Sequence, residues 1–465
     1  MTGVTSPVVL VSNRGPLSFT DVDGRLTTRR GAGGLVSGLA PLVVDTDTMW
    51  IAAALSPGDR AAAAEGVIEA QGLRVRTLAI DPDVLRQAYD VISNSTLWFL
   101  HHGLHDLSRR PIIDAGWREA WQSFRIYNQA FADVVAADAP AGATILVQDY
   151  HLSLLGPLLS SARPDLTSVH FSHTPFAPPL QMRVLPTDCA TELLEGMSGH
   201  GACGFHSHRW AADFRSSCLD ILGTEPTTFV APLAPDPDDL GRVAAGDQCN
   251  AEVADLVEQI GGRRMIVRVD RIELSKNVLR GFRAFDQMLR DRPDLRGEVV
   301  FRALGYPSRE GLPEYLAYRQ EVETLADVIN RRWGTRDWCP IELNLEDNFP
   351  KAVAHLRRYD VLLVNPIRDG LNLVAKEGPL VNEVDGTVVL SREAGIHDEL
   401  EDTVITINPY DVAEQATALA DALDLSPTDR AATSARLRAR AAERTPKHWL
   451  ADQLAAADAA RSARP

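Results

Sequence analysis

Two doubly wound, Rossmann-like α/β domains facing across a cleft are what this 465-residue chain predicts, on three observations. Its length exceeds the ~250–300 residues at which a single core stops growing. Short apolar runs alternate with amphipathic, alanine-rich stretches, which is the pattern of parallel βα units. That alternation occurs in two series, separated by a polar interval at Pro232–Asp255 that contains PLAPDPDD and GDQCN.

In the first series VVLVS (8–12), MWIAA (49–53), TLWFL (96–100), ATILVQ (143–148), SVHFSH (168–173), ACGFH (202–206) and TTFVAP (227–232) read as strands of one parallel sheet. After the first of these, RRGAGGLVSGLAPLV carries glycines at 31, 33 and 34 before a helix that begins near Leu35, so a ligand can approach the backbone closely there. These glycines follow a long loop and do not form GxGxxG, and the chain holds no GxxxxGK[ST] phosphate loop. The second series is MIVRV (265–269), EVVFRAL (298–304), DVLLVNP (360–366), GTVVLS (386–391) and DTVITINP (402–409). From about Tyr410 the chain reads as helical, with a closing helix broken at Pro446. The expected domains are 1–240 and 241–440, with 441–465 packing back on the first. Ligands of such domains lie at the carboxyl ends of the strands.

Composition narrows the class. A content of 45% hydrophobic and 24% charged residues is that of a soluble globular protein. No apolar run approaches the ~20 residues that span a bilayer, and MTGVTSPVVLVSNRG lacks the basic start and cleavage site of a signal peptide, so a cytoplasmic location is expected. Five cysteines, 189, 203, 218, 249 and 339, are odd in number and lack CxxC spacing, which argues against a disulfide framework or zinc. A net charge of −16 disfavours nucleic acid, whose binding needs broad phosphate neutralisation. The expected partners are small molecules, with neither nucleic acid nor membrane, and self-association is left open. An anionic ligand would need local cations.

The segment from Tyr359 to Glu377, YDVLLVNPIRDGLNLVAKE, concentrates the functional signal. VLLVNP reads as a strand buried on both faces, Arg368, Asp369 and Gly370 as a turn, and the helix after it as opening near Asn372. Free N–H groups at such a helix start suit a phosphate or sugar hydroxyl. An ordinary loop with surface charges is the competing interpretation.

The motifs SNR (12–14), GAGGL (31–35), YDVISNSTLW (89–98), QDYHL (148–152), SHTPF (172–176), RIELSK (271–276), PSRE (307–310) and RDGLNLVAKE (368–377) together resemble, in order, those of the trehalose-6-phosphate synthase family. The resemblance implies the glycosyltransferase B architecture and retaining transfer of glucose from a nucleoside diphosphate glucose to glucose 6-phosphate. It implies a donor site of Arg271 and Lys276 on the diphosphate, Asp369 with the backbone of Gly370, Leu371, Asn372 and Leu373 on the transferred glucose, Glu377 on the ribose, and Gly33 and Gly34 at the wall. For the acceptor it implies Arg14, Tyr89, Trp98 and Arg309 on the phosphate and ring, with Trp50 beside them. Asp149 and His173 match residues touching the sugars and, with Arg271, Lys276 and Asp369, make up the implied catalytic set. Read without the family, Trp98 is equally a core residue, and Arg271 and Lys276 are a solvated turn.

The family is thought to use front-face substitution, in which the leaving phosphate oxygen takes the acceptor hydroxyl proton. Two carboxylates placed as in a retaining glycosidase are not evident. No cofactor or metal is expected, and no DxD cluster is evident. Departures from the family pattern include RIELSKN for RLDYSKG, FSHTPFAPP for FLHIPFP, neutral residues ahead of GFH in GACGFHSH, and GPLVNEVDG after Glu377, a form similar to actinobacterial members. They leave the donor as UDP-glucose or GDP-glucose. Alternatives are a transferase for another phosphorylated acceptor such as a cyclitol phosphate, and a noncatalytic regulatory subunit.

Overall fold

The computed structural model describes residues 6–22, 25–31, 34–309 and 311–463. It consists of two compact units, Met1–Leu233 with Pro446–Pro465, and Ala234–Thr445. Residues 234–240 therefore lie with the second unit, since Leu240 packs against Cys249, Val353 and Ala354. Residues 441–445 do so as well, continuing the helix Pro427–Ala442, whose Arg438 donates to the Pro379 and Asn382 carbonyls.

The first unit contains β1 (Val8–Ser12), β2 (Leu17–Val22), β3 (Arg25–Arg30), β4 (Met49–Ala53), β5 (Val67–Ala70), β6 (Leu73–Leu78), β7 (Thr144–Gln148), β8 (Thr167–Ser172), β9 (Cys203–Phe205) and β10 (Thr228–Val230). Eight of these form one sheet in the order β10-β9-β8-β7-β1-β4-β6-β5, while β2 and β3 form a separate hairpin. The central strands β1, β4, β7 and β8 are buried almost throughout, as helices on both faces require. The sheet is not wholly parallel, because the edge strand β5 runs antiparallel to β6. The terminal helix Pro446–Ser462 packs on β7 and β8.

The expected strand at 96–100 is helix. Asp81 caps the start by accepting the N–H groups of Asp83 and Val84, and Pro82 occupies the first turn. The helix then runs through Gln87–Leu97 with i→i+5 spacing, where the Ser93 and Thr96 hydroxyls donate to the Ala88 and Val91 carbonyls. It ends at Gly103, whose φ of 64° suits glycine. A five-residue apolar run satisfies a buried helix as well as a strand, and the cap upstream decides between them.

The second unit contains β11 (Arg264–Arg271), β12 (Val299–Tyr306), β13 (Ile341–Asn344), β14 (Val361–Val364), β15 (Thr387–Ser391) and β16 (Ile405–Ile407), all parallel, in the order β13-β12-β11-β14-β15-β16. In chain order this is 3-2-1-4-5-6, the doubly wound arrangement of a Rossmann fold. No described helix is long and apolar enough to cross a membrane. All five cysteines are free thiols, four of them buried.

Candidate active site

Strand order reverses between β1 and β7 in the first sheet and between β11 and β14 in the second. Loops leaving such a switch point diverge and leave room for a ligand. Following those four strand ends are Asn13 and Arg14, Asp149, the turn 272–276, and the loop 365–373.

In the second unit Arg271 ends β11 in register with Tyr306 of β12. Its Nη1 lies 3.0 Å from Glu273 Oε1, the guanidinium side chain keeping 44% of its surface exposed while that of Glu273 keeps 2%. Ser308 donates to the same oxygen at 2.9 Å. Burial alone would raise the Glu273 carboxyl, but the charges of Arg271, Arg309 and Lys276, with the Ser308 hydroxyl, outweigh it and hold the group at about 2. Glu273 is thus a permanent anion under a cluster of cations. Arg309, with φ 46°, donates to the Tyr315 hydroxyl at 2.5 Å and lies 5.6 Å from that ring.

Lys276 joins the two loops of the switch point through a 2.5 Å bridge to Asp369 Oδ2, both side chains being largely buried. An ammonium has three donors, so this bond leaves two others. Beneath it the buried Arg268 bonds Asp270 at 2.7 Å and the Lys276 carbonyl at 2.8 Å, which fixes the turn.

Asp369 is tied to the loop after β15, its N–H donating to the Glu393 carbonyl and its own carbonyl accepting from Gly395. Asn372 adopts φ 81°, an uncommon backbone for a residue with a side chain, and its Nδ2 bonds Asp369 at 3.2 Å. Its Oδ1 is buried without a partner among the described residues. The backbone N–H groups of Asn372 and Leu373 have no acceptor among the described residues. The helix opens at Val374, two residues later than Asn372, because Leu371 and Asn372 are committed to this turn. Glu377 lies in its first turn, half-buried and with no side-chain partner among the described residues, and burial pushes its carboxyl up to about 7.

In the first unit Arg14 is exposed, with Nη2 3.3 Å from the Tyr89 hydroxyl. Its loop is held from below. Trp50 Nε1 donates to Ser12 Oγ at 2.7 Å, Ser12 Oγ donates to the Arg14 carbonyl at 2.7 Å, and the Tyr127 hydroxyl donates to Asn13 Oδ1 at 2.6 Å. Trp50 and Trp98 are buried, at 1% and 2% exposure, and Trp98 stacks on His102 at 4.2 Å. Both indoles are buried, whereas Arg14 and Tyr89 reach the surface. Asp149 has φ 72° and ψ 167°, a conformation nearly confined to glycine that costs on the order of 1–3 kcal/mol. Its Oδ1 accepts the His173 N–H at 3.2 Å and its carbonyl pairs with the His170 ring at 3.0 Å. The His173 imidazole is bonded within the protein at both nitrogens, to Gln148 at 3.0 Å and to His206 at 3.2 Å, and burial lowers it well below the usual histidine range. Gly33 lies outside the described residues, and Gly34 opens the helix Gly34–Val43.

A separate recess of about 330 Å³ is lined by Arg302, Lys351, Glu252, Asp255 and Glu342 among others. Its three carboxylates outnumber its two cations, so it has no surplus of positive charge. No described group of three or more His, Cys, Asp or Glu side chains is placed to hold a metal. Sequence reasoning did not assign roles to Glu273, Ser308 and Tyr315. The spacing of Arg271 and Glu273 was a usable signal, because alternate residues of an extended segment share a side.

Two Rossmann-like domains with polar groups gathered at both switch points are the architecture of glycosyltransferases of the B type. The chain belongs to glycosyltransferase family 20, whose profile matches residues 6–459. A trehalose-6-phosphate synthase of Mycobacterium sp. (strain JLS) is 31% identical over 91% of this chain and 90% of its own length. A bifunctional trehalose-6-phosphate synthase/phosphatase of Thermoproteus tenax is 29% identical over 98% of this chain, which spans 64% of that longer protein. Among solved structures, an α,α-trehalose-phosphate synthase (UDP-forming) from Burkholderia xenovorans in complex with glucose-6-phosphate has TM-score 0.84 and 26% identity, covering 97% of this chain and 100% of that one. A trehalose-6-phosphate protein from E. coli, bound with UDP-2-fluoro glucose, has TM-score 0.85 and 26% identity, with 97% and 99% covered.

Proposed function

We propose that this chain is an α,α-trehalose-phosphate synthase that transfers glucose from UDP-glucose to glucose 6-phosphate with retention, releasing UDP and trehalose 6-phosphate. The observation that carries this is the 2.5 Å Lys276–Asp369 bridge across the second switch point with the Arg271 guanidinium beside it. A departing diphosphate gains charge as the glycosidic bond breaks, and fixed cations stabilise that charge more in the transition state than in the ground state. Arg271 and the two remaining Lys276 donors face the diphosphate. Asp369 and the backbone amides from Gly370 to Leu373 hold the transferred glucose, and Glu377 accepts the ribose hydroxyls.

Arg14 and Tyr89 grip the acceptor phosphate, the guanidinium fork matching its oxygens. Asp149 orients the sugar, and the leaving phosphate oxygen takes the proton of the acceptor hydroxyl. His173 does not transfer a proton, since both of its nitrogens are engaged. Charge is neutralised by side chains, so the reaction needs neither metal nor cofactor. The five unpaired thiols suit a cytoplasmic location. Arg271, Lys276, Asp369 and Glu377 are all present, which disfavours a noncatalytic subunit.

Nucleotide release with UDP-glucose or GDP-glucose, each against glucose 6-phosphate, glucose or a cyclitol phosphate, tests this. UDP release that depends on glucose 6-phosphate is expected. Preference for GDP-glucose would correct the donor, and reaction only with an unphosphorylated or cyclitol acceptor would overturn the assignment.

A further inference from the structure

The strand-end turn that carries Asp149 and His173 is wired to the terminal helix Pro446–Ser462 by hydrogen bonds of fixed polarity. The Leu233 N–H donates to His206 Nδ1 at 3.3 Å. A backbone N–H can only donate, so this nitrogen bears no proton and His206 carries its own on Nε2. His206 Nε2 lies 3.2 Å from His173 Nδ1, which must therefore accept. That places the His173 proton on Nε2, 3.0 Å from Gln148 Oε1, and Gln148 Nε2 in turn donates to Gln453 Oε1 at 2.9 Å. Gln453 is fully buried in the terminal helix, and Trp449, one turn before it, packs edge-on against His173 at 5.5 Å. Every step has one allowed direction once the Leu233 amide is placed.

We propose that His206, Gln148 and Gln453 are positioning residues for the glucosyl transfer proposed above, on which the kinetic part of this inference rests. The relay locks the His173 ring in its Nε2–H form. That ring holds the turn whose His173 N–H donates to Asp149 Oδ1, and Asp149 sits in a backbone conformation that needs such support. The terminal helix, more than 300 residues away in sequence by the Gln148–Gln453 separation, is thereby part of the site's scaffold.

The test uses the full chain. Nitrogen-15 chemical shifts of the imidazoles report the tautomer irrespective of activity, and both His173 and His206 are expected as Nε2–H. An Nδ1–H or doubly protonated His173 at neutral pH overturns the relay. Gln453→Leu is expected to lower kcat about ten- to hundredfold, the scale of a misplaced catalytic geometry, with the KM of both substrates within about twofold. Gln453→Glu, which keeps the acceptor for Gln148, is expected to restore kcat to within a few fold, an effect that a loss of helix packing alone would not show.

Should Gln453→Leu fail to fold, Gln148→Met removes the same link and is expected to show the same split. Unchanged kcat in either folded variant overturns the positioning role. Absence of trehalose 6-phosphate formation by the wild type, with the tautomers as stated, would instead overturn the function and leave the relay standing.

Discussion

Replacing Lys276 by Ala separates charge stabilisation from structural support. Lys276 Nζ lies 2.5 Å from Asp369 Oδ2, with side chains 13% and 14% exposed, so the substitution takes the cationic partner from a mostly buried carboxylate. Removing one partner of a buried pair costs about 3–5 kcal/mol, and the residual exposure places this case near the lower end. At ~2–4 °C per kcal/mol for a domain of this size, the second unit is expected to melt ~6–12 °C lower. Turnover is expected to fall by ~10²–10³, the effect of deleting one preorganised group at a developing charge. The double variant Lys276→Ala/Asp369→Asn removes the charge of that carboxylate as well. It is expected to regain at least half of the lost stability and none of the turnover. Thermal denaturation followed by circular dichroism reads the first quantity, and UDP release under saturating substrates reads the second. A single variant that melts like the wild type and turns over within threefold of it would refute the argument, as would recovery of turnover in the double variant.

Two further outcomes are expected. Glu377 has a carboxyl raised by burial to about 7, so the folded protein binds a proton more tightly than the unfolded chain, and its contribution to stability declines as pH rises from the unfolded value through 7. UDP binding that uses the carboxylate must expel this proton, which weakens affinity about tenfold at pH 6 relative to pH 8, since one pKa unit is a factor of ten; calorimetry should show this slope in the wild type, and Glu377→Gln should flatten it and raise the melting temperature at pH 8. Arg14 is exposed and 3.3 Å from Tyr89, so Arg14→Ala should leave stability unchanged and raise the KM for glucose 6-phosphate by ~10–150-fold, the ~1.5–3 kcal/mol of a charged hydrogen bond, and an unchanged KM would remove Arg14 from the acceptor grip.

Much of this protein was legible in its sequence. The buried strands β1, β4, β7, β14 and β15 are almost continuous apolar runs because parallel strands are covered on both faces, and that signal needs no partner to be read. The polar interval and the break at Pro446 are likewise local features. β6, LRVRTL, and the start of β2, LSFT, alternate with period two and were there to be read, whereas β3 is exposed, β13 is short, and both carry little apolar pattern. The helical state of 96–100 turned on a cap at Asp81, fifteen residues earlier by number, and not on the run itself.

The order of the motifs singles out candidate site residues, but not their physical state. Nothing local foretells that the Trp98 indole is buried, that Lys276 meets Asp369, 93 positions away, or that both His173 nitrogens are engaged by Gln148 and His206. Strand and helix follow from periodicities of two and 3.6 residues, which lie within the reach of a short window. Pairing, burial and protonation depend on which strand ends the topology brings side by side, and only the folded chain decides that.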